Sequence, residues 1–253
     1  MKMKRFIYLF VMLASILMMS CETEIDNNDD GNNQEPPKMI YLVKKYTKDV
    51  PGLYFVTREF SYDDNNRLES IILTYNTSDE STVNTFEYDS QDRIVTILSN
   101  GVESQKFEYN NGTITRSTYI TNYDEWTTST YNVNNDGKIS RIDGSTSDNY
   151  DVYTWQYDNR VQVDYYTAAG TSVEEFTYNT EIINPQFDTY IYQHPMWDSK
   201  NVASQRTYTY DDETTTNTYV LEANAAGYLT KKTSESEYWG TITETYSYLT
   251  IEE

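Results

Sequence analysis

Few residues of this 253-residue chain have the types and spacing that catalysis or metal binding requires. It holds one cysteine, Cys21, and one histidine, His194, whereas a zinc site needs a cluster of such ligands. A nucleophilic triad could use only His194, which directly precedes a proline, and no G-x-S-x-G elbow accompanies it. Phosphate-binding glycine motifs are also absent. We therefore assign no catalytic and no cofactor-binding residue.

Two stretches partly match the sequence of a calcium-binding loop. In residues 26–37 the closing position, which should be Glu, is Pro37. In residues 132–143 the first ligand position is Asn132 rather than Asp, and a hairpin turn explains the same residues. We therefore predict no metal site.

Glycan chemistry leaves two alternatives open. Hydrolysis of a glycosidic bond needs two carboxylates that face each other across a cleft, and the 40 Asp and Glu of this chain single out no pair. Glycan binding needs exposed aromatic rings, and the candidates are Trp126, Trp155, Trp197, Trp239 and many of the 26 tyrosines. The competing interpretation is that these rings form the core of a sheet that is short of aliphatic residues.

Cys21 is a candidate for lipid modification, because the residues before it have the pattern of a signal peptide. Three cations lie in residues 2–5, an apolar run fills residues 6–19, and Ser20 precedes the cysteine. The run is too short for a membrane-spanning helix. We predict that residues 1–20 are removed and that lipid on Cys21 anchors an outer-membrane lipoprotein.

The mature chain is strongly acidic. Residues 1–20 hold three cations and no anion, so 16 Lys and Arg stand against 40 Asp and Glu, a net charge of −24. This charge repels nucleic acid, which we exclude as a partner. Residues 21–37 are polar and acidic, as expected of a disordered tether. Acidic residues soon after Cys21 resemble the signal that sends some lipoproteins to the cell surface.

Aromatic triplets predict the architecture that positions all other residues. Two aromatic rings separated by one residue recur along the chain, as Phe60–Tyr62, Phe86–Tyr88, Phe107–Tyr109, Trp155–Tyr157, Phe176–Tyr178, Tyr208–Tyr210 and Tyr246–Tyr248. Residues i and i+2 of a strand share one face, so each triplet places two rings on the same side. Asp, Asn or Gly usually follows and favours a tight turn.

Each repeat is therefore a hairpin, and a lone hairpin is barely stable in water. Successive hairpins must pair edge to edge, which predicts an all-β domain over residues 38–253, a long antiparallel meander of about fourteen to sixteen strands. Such a sheet should curl or close into a barrel. Residues 179–205 interrupt the rhythm with Pro185 and Pro195, so we predict an irregular insert there.

The hairpins resemble known bacterial sequences. The pattern of Tyr62–Leu68, repeated in Tyr88–Ile94, is similar to the tyrosine-aspartate repeats of large secreted proteins. Residues 40–250 resemble a family of uncharacterised gut-bacterial lipoproteins, through these hairpins, the interruption near Asn184, and Tyr208–Tyr210 followed by residues 226–231. The resemblance implies a rolled, porin-like antiparallel sheet and no known activity, and it supplies no catalytic residue.

We expect a non-enzymatic envelope lipoprotein that binds a glycan or another envelope protein. The alternatives are a carboxylate-based glycan hydrolase and a purely structural envelope component. A membrane pore is disfavoured, because positions such as 115–118 and 214–218 are polar where a lipid-facing band would be apolar.

Overall fold

The structure, a computed structural model, describes residues 39–144, 148–185 and 199–252. These residues form one closed antiparallel barrel of sixteen strands. The strands are β1 (Met39–Val50), β2 (Tyr54–Tyr62), β3 (Leu68–Tyr75), β4 (Ser81–Tyr88), β5 (Ile94–Ser99), β6 (Val102–Asn110), β7 (Thr113–Ile120), β8 (Glu125–Val133), β9 (Ile139–Asp143), β10 (Tyr150–Gln156), β11 (Asn159–Thr167), β12 (Gly170–Ile183), β13 (Asn201–Tyr210), β14 (Glu213–Ala223), β15 (Leu229–Ser236) and β16 (Gly240–Glu252). The predicted all-β class and hairpin meander are confirmed.

Pairing of the first strand with the last decides that the sheet closes. β1 and β16 pair antiparallel, from Met39 opposite Glu252 to Asp49 opposite Thr243. The other strands pair with their neighbours in sequence. Closure removes the unpaired backbone edges at which a long open sheet would aggregate.

The barrel has two ends, which we call the base and the mouth. The base holds the start of β1, the end of β16 and the turns that follow even-numbered strands, such as residues 63–67 and 89–93. The mouth holds the turns that follow odd-numbered strands, such as residues 211–212 and 237–239. Both ends of the described chain therefore lie at the base.

Hydrogen bonds from the aromatic triplets join neighbouring repeats at the base. In five of the seven triplets the closing tyrosine points into the barrel and donates its hydroxyl proton to a backbone carbonyl of an earlier repeat. The pairs are Tyr62 to Val43, Tyr88 to Leu68 and Tyr109 to Ile94 at 2.7 Å, Tyr178 to Arg160 at 2.5 Å, and Tyr248 to Leu229. Burial raises the pKa of Tyr62, Tyr109, Tyr178 and Tyr248, so these phenols stay protonated donors.

The turns after the triplets add a second link between repeats. Asp89 Oδ1 accepts the backbone N–H groups of Gln91 and Arg93, and the Arg93 guanidinium pairs with the same carboxylate at 2.6 Å. The hydrogen bond from Arg93 lowers the pKa of Asp89 to about 2. Arg93 also lies over the ring of Tyr109, 4.3 Å from its centroid. The arginine of one repeat thus packs on the tyrosine of the next.

The turn at residues 134–138 is built in the same way. Asn134 Oδ1 accepts the backbone N–H groups of Asp136 and Lys138 at 3.0 and 2.9 Å. The second calcium-like stretch is therefore a hairpin turn whose amide oxygen is already engaged by backbone donors.

Two triplets differ from the prediction. Tyr157 lies in a turn with a positive φ of 52° and is 85% exposed, so it does not share the inner face with Trp155. Trp155 takes the tyrosine's role and donates its Nε1–H to the Ile139 carbonyl at 2.6 Å. Tyr208 and Tyr210 lie on β13, which runs toward the mouth, so this pair stands at the opposite end from the others.

The predicted leader and the middle of the predicted insert lie outside the described residues. β12 and β13 enter residues 179–205 from both sides, with irregular pairing between Asn179 and Ile183. Near them Asn159 and Asn201 are buried and bond to each other at 2.8 and 3.0 Å. Residues 186–198, which include His194 and Trp197, and residues 1–38, which include the signal peptide, Cys21 and the tether, are not described.

We expect Tyr88→Phe to lower the free energy of unfolding by about 1 kcal/mol, because the Leu68 carbonyl loses its phenolic donor while the ring is kept. Urea denaturation followed by circular dichroism measures this loss. Tyr157→Phe is the matched control, since that tyrosine is exposed, and it should have no measurable effect. Equal stability of the two variants would contradict the role assigned to the Tyr88 hydroxyl.

Candidate functional site

The interior of the barrel is packed at the base and open at the mouth. Among inward-facing residues near the base, Leu68, Ile139 and Leu229 are at most 1% exposed. Near the mouth, Tyr75 and Tyr210 are 38% and 46% exposed although strand register points them inward. Val50 and Val56, which also face inward near the mouth, are 4% and 3% exposed. Solvent therefore reaches part of the inner wall at the mouth, and we call this part the receptacle.

In this receptacle, β13 carries two tyrosines that follow each other along the strand toward the mouth. Tyr208 and Tyr210 alternate with Thr207 and Thr209, so both rings face inward, about 7 Å apart along the strand. Tyr208 is 37% exposed. Exposed, strand-mounted rings on a concave wall are suited to stacking against the faces of sugars.

Below the two tyrosines lies a belt of charged side chains. Arg206 donates from Nε to Glu174 Oε1 at 2.8 Å and forms a second, shorter bond from its Nη2. Tyr165 donates to the other oxygen of Glu174 at 3.0 Å. Burial, and then the adjacent Glu174, raise the pKa of Tyr165 to about 12. The hydrogen bonds of Glu174 satisfy a carboxylate that is only 4% exposed.

The belt continues across β14, β15, β16 and β1. Lys232 Nζ lies 3.9 Å and Lys48 Nζ 3.8 Å from Glu244 Oε1. The Lys232 ammonium also sits 4.4 Å from the centroid of the Tyr219 ring. One carboxylate is therefore shared by two ammonium groups, one of which also packs on an aromatic face.

Further aromatic side chains stand exposed around the rim of the mouth. Tyr123 and Tyr238 lie in turns and are 75% and 84% exposed. Trp126, at the start of β8, and Trp239, in the turn before β16, are 40% and 43% exposed. For these two exposed tryptophans the sugar-stacking role stays a prediction. The Trp155 ring is held inside the barrel near the base and is not available for that role.

The described residues hold no group of three or more His, Cys, Asp and Glu that could bind a metal ion. In the same part of the chain, no helix is long and apolar enough to cross a membrane. The carboxylates in the belt are Asp151, Glu174 and Glu244, and the last two are paired with cations. Hydrolysis by two facing carboxylates stays a prediction.

Comparison with known proteins concerns the fold. No protein-family model matches the chain, and no curated protein matches it. Among solved structures, a porin-like protein from Bacteroides uniformis superposes with a TM-score of 0.58 at 15% identity, covering 85% of this chain and 99% of that chain. A porin-like protein from Bacteroides vulgatus gives a TM-score of 0.39 at 9% identity, covering 83% and 99%.

The first of these matches confirms the predicted porin-like sheet. At this identity it shows the fold alone. The predicted relationships to a lipoprotein family and to tyrosine-aspartate repeat proteins stay predictions.

Sequence reasoning missed the charged belt. Arg206, Lys232 and Glu244 come from three strands, β13, β15 and β16, and nothing in their local sequence distinguishes them from outward-facing charges such as Lys231. The available signal was the alternation of faces along a strand. Arg206 and Glu244 are each two residues from an inward aromatic residue on the same strand, and Lys232 lies opposite a residue that is two positions from Tyr219. That alternation becomes usable only when strand boundaries are known.

We expect tetranitromethane to nitrate Tyr208 and Tyr210 and to spare Tyr246. The first two are open to the mouth, whereas burial, and then Glu244, raise the pKa of Tyr246 well above its ordinary value and suppress the reactive phenolate. Peptide mass spectrometry locates the modified residues, and nitration in urea provides the control in which all three react. Protection of Tyr208 and Tyr210 in the folded protein would mean that the mouth is closed.

Proposed function

We propose that this protein is a non-enzymatic lipoprotein of the outer membrane whose barrel binds a glycan through its mouth. The observation that carries the proposal is the pair of inward-facing but exposed rings, Tyr208 and Tyr210. A protein that used tyrosine only as core material would have no reason to leave these two rings in water. The rim residues Trp126 and Trp239 extend the aromatic surface outward.

The outer face of the barrel supports a domain that stands in water and does not span the bilayer. Outward-facing threonines bond across strands, as between Thr47 and Thr245 at 2.6 Å and between Thr209 and Thr214 at 3.1 Å. The outer face of β14 shows exposed Thr216 and Thr218 where a membrane barrel would present an apolar band. A separate anchor is then required to hold the protein at the membrane.

The start of β1 is the point at which that anchor would join the barrel. The described chain begins at Met39, at the base. Lipid on Cys21 would hold the protein at the membrane through residues 22–38, which precede β1 in the sequence.

A glycan array probed with the full mature chain tests the proposed binding. We expect at least one glycan class to bind, and the double variant Tyr208→Ala with Tyr210→Ala to weaken that binding by about tenfold or more, since two stacking surfaces are lost. Tyr157→Ala is the matched control, because it removes an exposed tyrosine that lies at the base and not at the mouth.

Circular dichroism checks that each variant is folded. An array without any bound glycan would contradict the proposed function, and so would turnover of a glycan that the protein binds. The latter result would favour the hydrolase alternative.

We expect Cys21→Ser to abolish acylation and to release the protein from the membrane fraction, because threonines cover much of the outer face of strands such as β14. Metabolic labelling with a fatty acid and fractionation of cells measure both effects. Wild-type protein supplies the positive control. A Cys21→Ser variant that remains in the outer membrane would show that the barrel itself is embedded there.

A further inference from the structure

We propose that the mouth selects glycans that end in an acidic sugar, and that Lys232 together with Arg206 binds the acidic group. This inference rests on the proposed glycan-binding function and names its ligand class. It begins from the solvent exposure of the charges of the belt, which differs between cations and carboxylates.

In the belt, the cations are more exposed to solvent than the carboxylates with which they pair. The side chain of Arg206 is 45% exposed, whereas that of its partner Glu174 is 6% exposed. Lys48 and Lys232 are 31% and 26% exposed, whereas Glu244, with which both pair, is 16% exposed. The guanidinium and ammonium groups are therefore more accessible to a ligand than their counter-charges.

The numbers of charges point the same way. On this wall the three cations Lys48, Arg206 and Lys232 are balanced by the two carboxylates of Glu174 and Glu244. Around the rest of the belt, inward-facing Arg58, Arg116 and Arg160 stand against Asp151. Glu125 and Glu213 lie higher, at the rim. A chain with a net charge of −21 thus places an excess of positive charge inside its receptacle.

The tyrosines determine where a sugar ring would sit. Tyr208 is two residues from Arg206 on the same face, so its ring stands about 7 Å nearer the mouth. A pyranose stacked on Tyr208 would direct a carboxylate substituent toward Arg206, and Tyr219 interacts with both Arg206 and Lys232. The Tyr219 ring lies beside the Lys232 ammonium and limits its movement, which reduces the entropy lost when an anion binds.

The acidic exterior decides between a polyanion and a single acidic end group. A polymer with a negative charge on every sugar would be repelled by the outer surface and by the rim glutamates before it reached the belt. A mostly neutral glycan with one acidic sugar at its end is repelled less by the acidic surface, and its single charge can lie next to the cations. We therefore commit to an acidic terminal sugar on an otherwise neutral chain.

The test compares two pairs of ligands: sialyllactose against lactose, which lacks the acidic sugar, and cellobiouronic acid against cellobiose, which lacks only the carboxylate. Isothermal titration with the full mature chain should give about tenfold tighter binding of the acidic member of at least one pair. The preference should decrease as the salt concentration rises, because the groups are partly exposed.

Lys232→Ala should remove most of this preference, and Lys232→Arg should restore it. Removal of Lys232 leaves Glu244 paired with Lys48, so the fold is not left with an isolated buried carboxylate. Lys231→Ala is the matched control, since Lys231 is the adjacent residue, faces outward and pairs with Glu222. Arg206 is left intact, because its loss would strand the buried Glu174.

Equal binding of the acidic and neutral members by wild-type protein would overturn the acidic-sugar inference and leave the proposed glycan binding standing. A preference that Lys231→Ala and Lys232→Ala reduce equally would overturn the role of Lys232. Tighter binding of polygalacturonate than of either sialyllactose or cellobiouronic acid would overturn the proposed selection of an acidic end group. Failure to bind these four ligands and every glycan on an array would overturn the inference and the proposed function together.

Discussion

The hydrogen bond from a tyrosine hydroxyl to a backbone carbonyl of an earlier hairpin is the interaction on which this barrel depends. Backbone pairing alone would join the strands without fixing where one repeat lies relative to the next. The phenol of Tyr88 fixes this position by reaching Leu68, and Tyr109 does the same at Ile94. Because the donor hydroxyl is carried by an aromatic ring, the same side chain also supplies apolar surface to a chain that has few aliphatic residues.

This use of tyrosine has a consequence for the shape of the interior. The closing rings of five triplets lie with Leu68, Ile139 and Leu229 at the base. Tyr208 and Tyr210 lie at the other end, because they belong to a strand that runs the opposite way. Packing therefore fills the base and leaves part of the inner wall exposed at the mouth.

Charge is sorted by the same geometry. Acidic residues dominate the chain as a whole, and they can remain on the outer face and in the turns because water solvates them there. Buried carboxylates need cations, so Glu174 is paired with Arg206, and Glu244 with Lys48 and Lys232. The cations that neutralise these groups then form the surface that faces the lumen. The proposed affinity for an acidic sugar is a consequence of this arrangement.

The sequence alone determined the hairpins. The i, i+2 spacing of rings such as Phe86 and Tyr88 and the turn residues after them specify strand, face and reversal locally, so the all-β class and the number of strands could be predicted. Turn chemistry could also be predicted, as at residues 132–143. The tertiary structure decided everything that depends on register between distant strands: the closure of β1 on β16, the opposite end taken by Tyr208 and Tyr210, and the meeting of Arg206, Lys232 and Glu244. These features could not be predicted, because the local sequence encodes the alternation of faces but not which hairpin stands beside which.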